Sequence, residues 1–144
     1  MKCADIMQQK VITCRESDTI ATCSKLMRDK NIGFIPIVDA SGYVVGTITD
    51  RDLVTRGLAD GKGFDTKISL LMSRDVIACS KNEDIASCER KMEQEQKSRI
   101  LVLENDKCVG VISLSDIAQN DRSDRAGEVL RKVTTREAHA ASVF

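Results

Sequence analysis

The sequence predicts an α+β fold made of two β-α-β-β-α copies that pack with pseudo-twofold symmetry. Four of the six cysteines recur at a spacing of 65 residues, Cys14 with Cys79 and Cys23 with Cys88. Nine of the 29 positions in residues 7–35 are identical in residues 72–100, where chance would give roughly two. Residues 45–53 then match residues 109–117 at an offset of 64. Because each copy of about 60 residues is too short to bury a generous core alone, we expect the two copies to share one core.

In the first copy, Ile20, Cys23 and Met27 are spaced along one face of a helix that follows Ser17–Asp18. Pro36 predicts either an edge strand or a strand position whose N–H is not needed. The expected elements are a short strand over 11–13, the helix ending at residues 29–33, a strand over 34–38, a turn at 40–42, a strand over 43–49 and a helix from 50 to near Gly61 and Gly63.

The second copy repeats this order, with a helix after Asn82 that carries Ile85, Cys88 and Met92 on one face. Its strands are expected over 76–78, 99–103 and 108–113, with a helix from about 114. The predicted division is a first copy over 1–65, a second over 66–121 and a tail over 122–144. In the tail we expect one short helix over 127–133, a frayed end, and His139 in water.

Composition and charge exclude several classes of function. The 22 basic and 22 acidic residues cancel, so no net field attracts a nucleic acid, and four aromatic residues are too few for a base-stacking platform. A single His argues against a His-rich metal site and against His-based catalysis. No apolar run reaches the roughly 20 residues that span a bilayer, and the first ten residues do not resemble a signal peptide. We therefore expect a cytoplasmic protein without a catalytic role or a metal site.

The cysteines show no CxxC spacing that would indicate zinc binding or thioredoxin-like chemistry. Cys23 and Cys88 lie on apolar helix faces and are expected to pack in the core, as are Cys14 and Cys79. The unmatched Cys3 and Cys108 could be exposed. A redox role for them is a minor alternative, because no basic neighbour clearly lowers a thiol pKa.

Several segments resemble a tandem pair of CBS domains, also called a Bateman module. They are ADIM (4–7) and SLLM (69–72), IGFIPIVD (32–39) and SRILVLE (98–104), GTITDRDLVTRGLADG (46–61) and GVISLSDIA (110–118). The 46–61 segment is the most specific and is similar to free-standing bacterial two-CBS proteins. Two residues depart from the family pattern: Leu101 stands where Pro is usual, and Phe34 where a polar or basic residue is common.

The resemblance implies a regulatory module that binds an adenine nucleotide, such as AMP, ADP, ATP or NAD, or S-adenosylmethionine, in clefts between the two copies. By position, the ribose would be held by Thr49 and Asp52 in one site and by Ser113 and Asp116 in the other. The adenine would contact Val11, Ile12, Thr13, Ile35 and Pro36, or Val76, Ile77, Ala78 and Ile100. The phosphate candidates are Arg51 and Arg99. A homodimer and an unidentified effector protein are the implied partners.

Each of these residues also has a structural interpretation. A Thr or Ser followed by an Asp at a helix start can simply cap the helix, and an exposed Arg can be a solvated surface charge. Independently of the resemblance, a hydroxyl and a carboxylate at a helix start suit a sugar phosphate, and Gly46 and Gly110 allow a ligand or another backbone to come close. Three hypotheses therefore remain: a nucleotide-binding regulator, a ligand-free structural or interaction dimer, and a redox-responsive thiol protein.

Overall fold

The computed structural model describes residues 1–120 and 125–135. Its chain contacts define two compact units, one formed by Val11–Val76 and the other by Met1–Lys10 together with the described residues from Ile77 onward. We call these the central unit and the terminal unit. The first ten residues therefore pack with the second sequence copy, although the repeat pattern places them in the first.

The central unit contains a three-stranded sheet in the order β1-β2-β3, with β1 parallel to β2 and β2 antiparallel to β3. The helix after β3 starts as a turn of α-helix and continues as a π-helix. The elements are β1 (Cys14–Arg15), α2 (Ile20–Lys30), β2 (Phe34–Val38), β3 (Val44–Thr49), α3 (Asp50–Asp52), the π-helix (Leu53–Leu58) and a 3-10 turn (Ile68–Leu70).

The terminal unit repeats this topology with a sheet in the order β4-β5-β6 and adds one helix at each end. Its elements are α1 (Cys3–Ile6), β4 (Ala78–Ser80), α4 (Ile85–Glu95), β5 (Arg99–Glu104), β6 (Lys107–Ser113), α5 (Leu114–Asn120) and α6 (Arg125–Val133). The predicted α+β class and the β-α-β-β-α order of each copy are confirmed.

Each unit has its own apolar core between its sheet and its helices, rather than the single shared core expected from the length of each copy. In the central unit the helix face formed by Ile20, Cys23 and Met27 packs against β2 and β3, and Ile35 and Ile48 are fully buried. The spacing of about 3.6 residues in α2 and the alternation in the strands produce one buried face on each element.

Several predicted boundaries are wrong by a few residues because side chains near the ends form other bonds. The segments 11–13 and 76–77 are not strands, and pairing begins at Cys14 and Ala78. Helix α2 begins after Thr19, whose Oγ1 accepts from Thr22 N at 3.2 Å, while the Asp18 carboxylate accepts from Arg15 N in the preceding turn.

The other helix boundaries shift for similar reasons. Helix α4 is capped by Asp84 rather than Asn82, because its Oδ1 accepts from Ala86 N at 2.9 Å. The π-helix ends at Leu58, before Gly61, and α6 begins at Arg125. The predicted frayed end and His139 lie outside the described residues.

Pro36 lies in the central strand β2, so the edge-strand prediction is wrong. The alternative prediction fits better, since β1 pairs with Ile37 and Val38 and stops short of Pro36. In the terminal unit the equivalent Leu101 donates its N–H to Ile77 O at 3.3 Å. The departure from Pro at Leu101 thus gives the terminal sheet one hydrogen bond that the central sheet cannot form.

Candidate functional site

Thr49 and Asp52 form a reciprocal cap where β3 ends and α3 begins. Thr49 Oγ1 accepts from Asp52 N at 3.1 Å, and Thr49 N donates to Asp52 Oδ2 at 3.0 Å. The second carboxylate oxygen, Oδ1, has only the Arg56 guanidinium near it, with Nε at 3.9 Å. The capping interpretation of Asp52 is therefore confirmed, and one of its oxygens is left without a close donor among the described residues.

Ser113 and Asp116 form the same cap where β6 meets α5. Ser113 N donates to Asp116 Oδ2 at 2.8 Å, and Asp116 N donates to Ser113 Oγ at 3.2 Å. Here Oδ1 also has a close partner, because Gln8 Nε2 donates to it at 2.9 Å. Both oxygens of Asp116 are thus hydrogen-bonded, which distinguishes this cap from the one at Asp52.

Gln8 reaches Asp116 because the N-terminal segment runs alongside β6. Gln8 N donates to Val111 O at 2.9 Å, and Val111 N donates back to Gln8 O at 3.1 Å. The repeat places Ser73 opposite Gln8, and Ser73 forms the same two backbone bonds with Thr47 in the central unit. Sequence reasoning missed Gln8, since a repeat offset does not say which copy a terminal segment packs against.

The two strand glycines make room for these segments. A Cβ at Gly46 would lie 2.8 Å from Met72 Sδ, and a Cβ at Gly110 would lie 2.6 Å from Met7 Sδ. The close approach predicted at both positions is therefore occupied by the chain itself, through Met72 in one unit and Met7 in the other.

The predicted adenine-contacting residues fall into two groups by burial. Ile35 and Ile100 are 0% exposed in the two cores. They can therefore lie beneath residues that contact a ligand, but cannot contact it themselves. Pro36 is buried as well, whereas Thr13 is exposed. The half-buried residues are Val11 and Ile12 in the central unit and Ile77 and Ala78 in the terminal unit; Val76 is the last residue of the central unit.

Both phosphate candidates are exposed. Arg51 lies in α3 and Arg99 begins β5. Neither side chain forms a hydrogen bond or an ion pair with any other part of the described chain. Beside Arg51, the Asp50 carboxylate lies against Gly33, where an added Cβ would be 2.8 Å from Asp50 Oδ2.

The thiols differ from the sequence prediction at Cys3, which is fully buried rather than exposed. Its Sγ lies 3.4 Å from Cys79 Sγ, and these two sulfurs and Cys88 Sγ all lie within 4.8 Å of one another. Burial, with the hydrogen bond from Cys79, raises the pKa of Cys3 to about 12. Cys108 is half-buried, and burial raises its thiol pKa. The prediction that the four repeat-paired cysteines pack in the cores is confirmed.

The apolar face of α2 and the π-helix forms an open cleft of about 490 Å³ in the central unit. It is lined by Ile20, Ala21, Ser24, Lys25, Leu53, Val54, Leu58, Lys62 and Phe64. In the terminal unit α6 packs on the corresponding helices α4 and α5, and its Val129 and Val133 are 1% exposed. One unit thus covers with its own chain a face that the other leaves open.

None of the helices in the described part of the chain is both long enough and apolar enough to cross a membrane.

Comparison with known proteins gives two matches to one family model, described as the CBS domain, at residues 3–58 and 67–123. The CBS domain-containing protein YhcV of Bacillus subtilis is 31% identical over 136 residues, covering 94% of this chain and 96% of YhcV. Hypoxic response protein 1 of Mycobacterium tuberculosis is 32% identical over 117 residues, covering 81% of this chain and 82% of that protein.

Solved structures show the same fold. Hypoxic Response Protein I, crystallised with two coordinated zinc ions, has a TM-score of 0.77 at 30% identity, covering 84% of this chain and 99% of that one. The CBS domain pair of protein MJ0100, in complex with 5′-methylthioadenosine and S-adenosyl-L-methionine, has a TM-score of 0.74 at 28% identity, covering 83% and 94%.

Proposed function

The chain belongs to the CBS-domain family, and from this we propose that it is a regulatory module that binds an adenosine-containing ligand and performs no chemistry on it. The MJ0100 domain pair, which binds two adenosine derivatives, supports the ligand class. Within that class we propose AMP, ADP, ATP or NAD. We also propose that the chain acts as a cytoplasmic homodimer and that an effector protein recognises its ligand-bound form.

We place the preferred ribose contact at Thr49 and Asp52. The observation that supports this choice is the difference in hydrogen bonding between the carboxylates of Asp52 and Asp116. Vicinal ribose hydroxyls are donors that need a carboxylate oxygen as acceptor. Asp52 Oδ1 has only Arg56 nearby at 3.9 Å, whereas Asp116 Oδ1 already accepts from Gln8 at 2.9 Å. Binding at Asp116 would first have to break that hydrogen bond, which costs about 1 kcal/mol.

The backbone beside Pro36 supports the same choice for the adenine. Leu101 N donates to Ile77 O in the terminal unit, but Pro36 has no N–H to donate to the equivalent Ile12 O. An adenine amino group can use that carbonyl as its acceptor. The surface that contacts the adenine is then formed by Val11 and Ile12. Thr13 lies at its edge, and Ile35 and Pro36 lie beneath it. The second site would use Val76, Ile77, Ala78 and Ile100.

For the phosphate we propose Arg51 at the first site and Arg99 at the second. Both guanidinium groups are exposed and have no partner elsewhere in the described chain, so an anion displaces nothing when it binds. Asp50 follows β3 at the first site, where the second copy has Leu114. This carboxylate favours a ligand with few negative charges, such as AMP or NAD, over ATP.

Isothermal titration calorimetry with AMP, ATP and NAD tests the proposal on the wild type and on a matched pair of variants. Asp52→Asn keeps the shape of the cap and removes the charged acceptor, and we expect it to weaken binding by at least tenfold. Asp116→Asn makes the same change at the equivalent position, and we expect less than a threefold effect. Equal binding by Asp52→Asn and the wild type would overturn the site.

A ligand-free structural or interaction dimer is the second candidate. The hydrogen bonding of the Asp116 carboxylate supports it, because Gln8 already donates to the oxygen that a ribose hydroxyl would use. Native mass spectrometry of the freshly purified protein separates the two functions. A co-purified adenosine-containing molecule supports the first, and an unliganded dimer that gives no heat with any of the three nucleotides supports the second.

A further inference from the structure

The geometry points to a binding site for a soft, thiophilic metal ion, Cu(I) foremost, at the three thiols of Cys3, Cys79 and Cys88, and we propose this site as a property separate from nucleotide binding. The three sulfurs come from three different elements of the terminal unit: α1, β4 and α4. Their exposed fractions are 0%, 4% and 0%. Chain segments 76 and 85 residues apart are thus brought to one point.

The spacing of the sulfurs suits a metal at their centre. All three lie within 4.8 Å of one another, so some point lies within 4.8/√3, or about 2.8 Å, of each. A metal–thiolate bond is about 2.3 Å long. A contraction of a few tenths of an ångström in each side chain would therefore complete three bonds, without any change of backbone.

The chemistry of the three ligands selects the ion. Soft thiolate ligands favour Cu(I), zinc and iron–sulfur clusters over hard cations. Structural zinc takes four ligands in a tetrahedron. Among the described residues the cluster offers three sulfurs, with no His, Asp or Glu joining them. A three-coordinate soft ion fits that set better than Zn²⁺ does.

Each thiol must lose its proton before its sulfur can bind a metal as a thiolate. The ammonium group of Lys91 lies close by, donating to Ala78 O at 3.1 Å. Metal binding would release the thiol protons to solvent, so affinity should rise with pH.

The repeat provides an internal comparison for the third ligand. At the offset of 65, Cys79 and Cys88 correspond to Cys14 and Cys23, which lie together in the core of the central unit. Cys3 corresponds to Ile68, which is 0% exposed in that same core. An Ile side chain thus fills this core position in the central unit, so packing alone does not require the cysteine that the terminal unit has there.

Access to the site runs through α1. This four-residue helix is held by Cys3 N to Glu83 O and Ala4 N to Lys81 O, both at 2.9 Å. Release of a few backbone bonds at the N-terminus would expose all three thiols without opening the sheet. Loading should therefore be slow in the folded protein and fast during refolding.

The test uses the full, reduced chain and Cu(I) supplied anaerobically as its bicinchoninate complex, added to folded protein and also during refolding. We expect one tightly held Cu(I) per chain. Cys3→Ile copies the other unit's packing and should weaken binding by at least a hundredfold with the far-ultraviolet circular dichroism unchanged. Cys14→Ala and Cys108→Ala are matched controls that should retain the ion.

The converse variant, Ile68→Cys, should create a third thiol beside Cys14 and Cys23 and raise the stoichiometry to two. An unchanged stoichiometry would contradict the role given to the third sulfur. Absence of tight Cu(I) binding under both loading conditions, or binding that survives Cys3→Ile, would overturn the site. Zn(II) held more tightly than Cu(I) by the same three thiols would overturn the choice of ion.

Discussion

The two units share one topology, and the sequence copies share nine identical positions over 29 aligned residues. The units differ in how the chain ends are used. In the terminal unit, α6 covers the helices and the N-terminal segment brings Gln8 to Asp116 and Cys3 to the core. In the central unit the same helix face is an open cleft, Asp52 Oδ1 has only the Arg56 guanidinium near it at 3.9 Å, and the core holds two thiols.

The repeat therefore determines the fold of each unit, whereas the N- and C-terminal segments determine which of its surfaces are covered. Glu89 and Glu93 on α4 receive Arg125 and Lys132 of α6, at 3.7 and 3.1 Å. The central unit has Ser24 and Arg28 at the corresponding positions, so it lacks the acids that would attract the same basic helix. The open face thus follows from substitutions within the repeat as well as from the position of the tail.

The largest expected effect separates the covered face from the open one. Val129→Asp places a carboxylate at a side chain that is 1% exposed, so we expect a loss of about 3 kcal/mol or more in the free energy of unfolding. Val54→Asp, at a side chain that is 56% exposed in the open cleft, should change it by less than about 0.5 kcal/mol. Urea denaturation followed by circular dichroism measures both.

Leu130→Asp is the control on the same helix, because its side chain is 51% exposed. It should cost only about 0.5 kcal/mol, from the lower helix propensity of Asp than of Leu. If Val129→Asp proves as harmless as Leu130→Asp, α6 does not cover the terminal unit in solution.

The sequence predicted the scaffold well because periodicity is a local property. Strand 34–38 was predicted to the residue. The predicted helix end contains Asn31 and the predicted turn contains Gly42, and both residues have a left-handed backbone, with φ of 52° and 86°. Both caps, Thr49 with Asp52 and Ser113 with Asp116, followed from residue type and position alone.

The remainder depends on packing that no spacing encodes. The burial of Cys3 and the contact of Gln8 with Asp116 arise because the first ten residues pack on the second copy. A repeat alignment gives equivalent residues but not the copy against which a terminal segment packs. Thr13 is not part of β1, although its equivalent Ala78 begins β4, because Pro36 has no N–H with which to extend the pairing.

A smaller effect is expected from making the two carboxylates alike. Gln8→Ala removes the donor at 2.9 Å from Asp116 Oδ1, leaving both Asp side chains with one oxygen free of a close donor. If adenosine ligands bind as proposed, the affinity of the second site should rise about fivefold, since one hydrogen bond of about 1 kcal/mol no longer competes. Calorimetric titration with AMP reports it as a second binding event.

Ser73→Ala is the matched control, because Ser73 holds the equivalent position beside β3 through backbone bonds alone. It should leave the titration unchanged. Identical curves for Gln8→Ala and the wild type would show that Gln8 does not limit access to Asp116.

The smallest expected effect concerns acid stability. Burial raises the pKa of Glu83, but hydrogen bonds from Lys91, Ser87 and Ser80 N outweigh it and hold the pKa below its usual value. A carboxyl whose folded pKa is depressed adds stability above its unfolded pKa, and that stability is lost as the pH falls through the folded pKa. Glu83→Gln should therefore lose about 0.5 kcal/mol at pH 7 and show a flatter decline of stability below about pH 4.5.

The central unit supplies the comparison at Asp18, which accepts from Arg15 N at 2.8 Å as Glu83 accepts from Ser80 N at 3.1 Å. Among the described residues Asp18 has no ammonium partner like Lys91, so Asp18→Asn should cost less at pH 7. Urea denaturation at pH 7 and at pH 3.5 gives the four values. If Glu83→Gln and Asp18→Asn lose equal stability at pH 7 and equal slopes with pH, the Lys91 contact adds nothing.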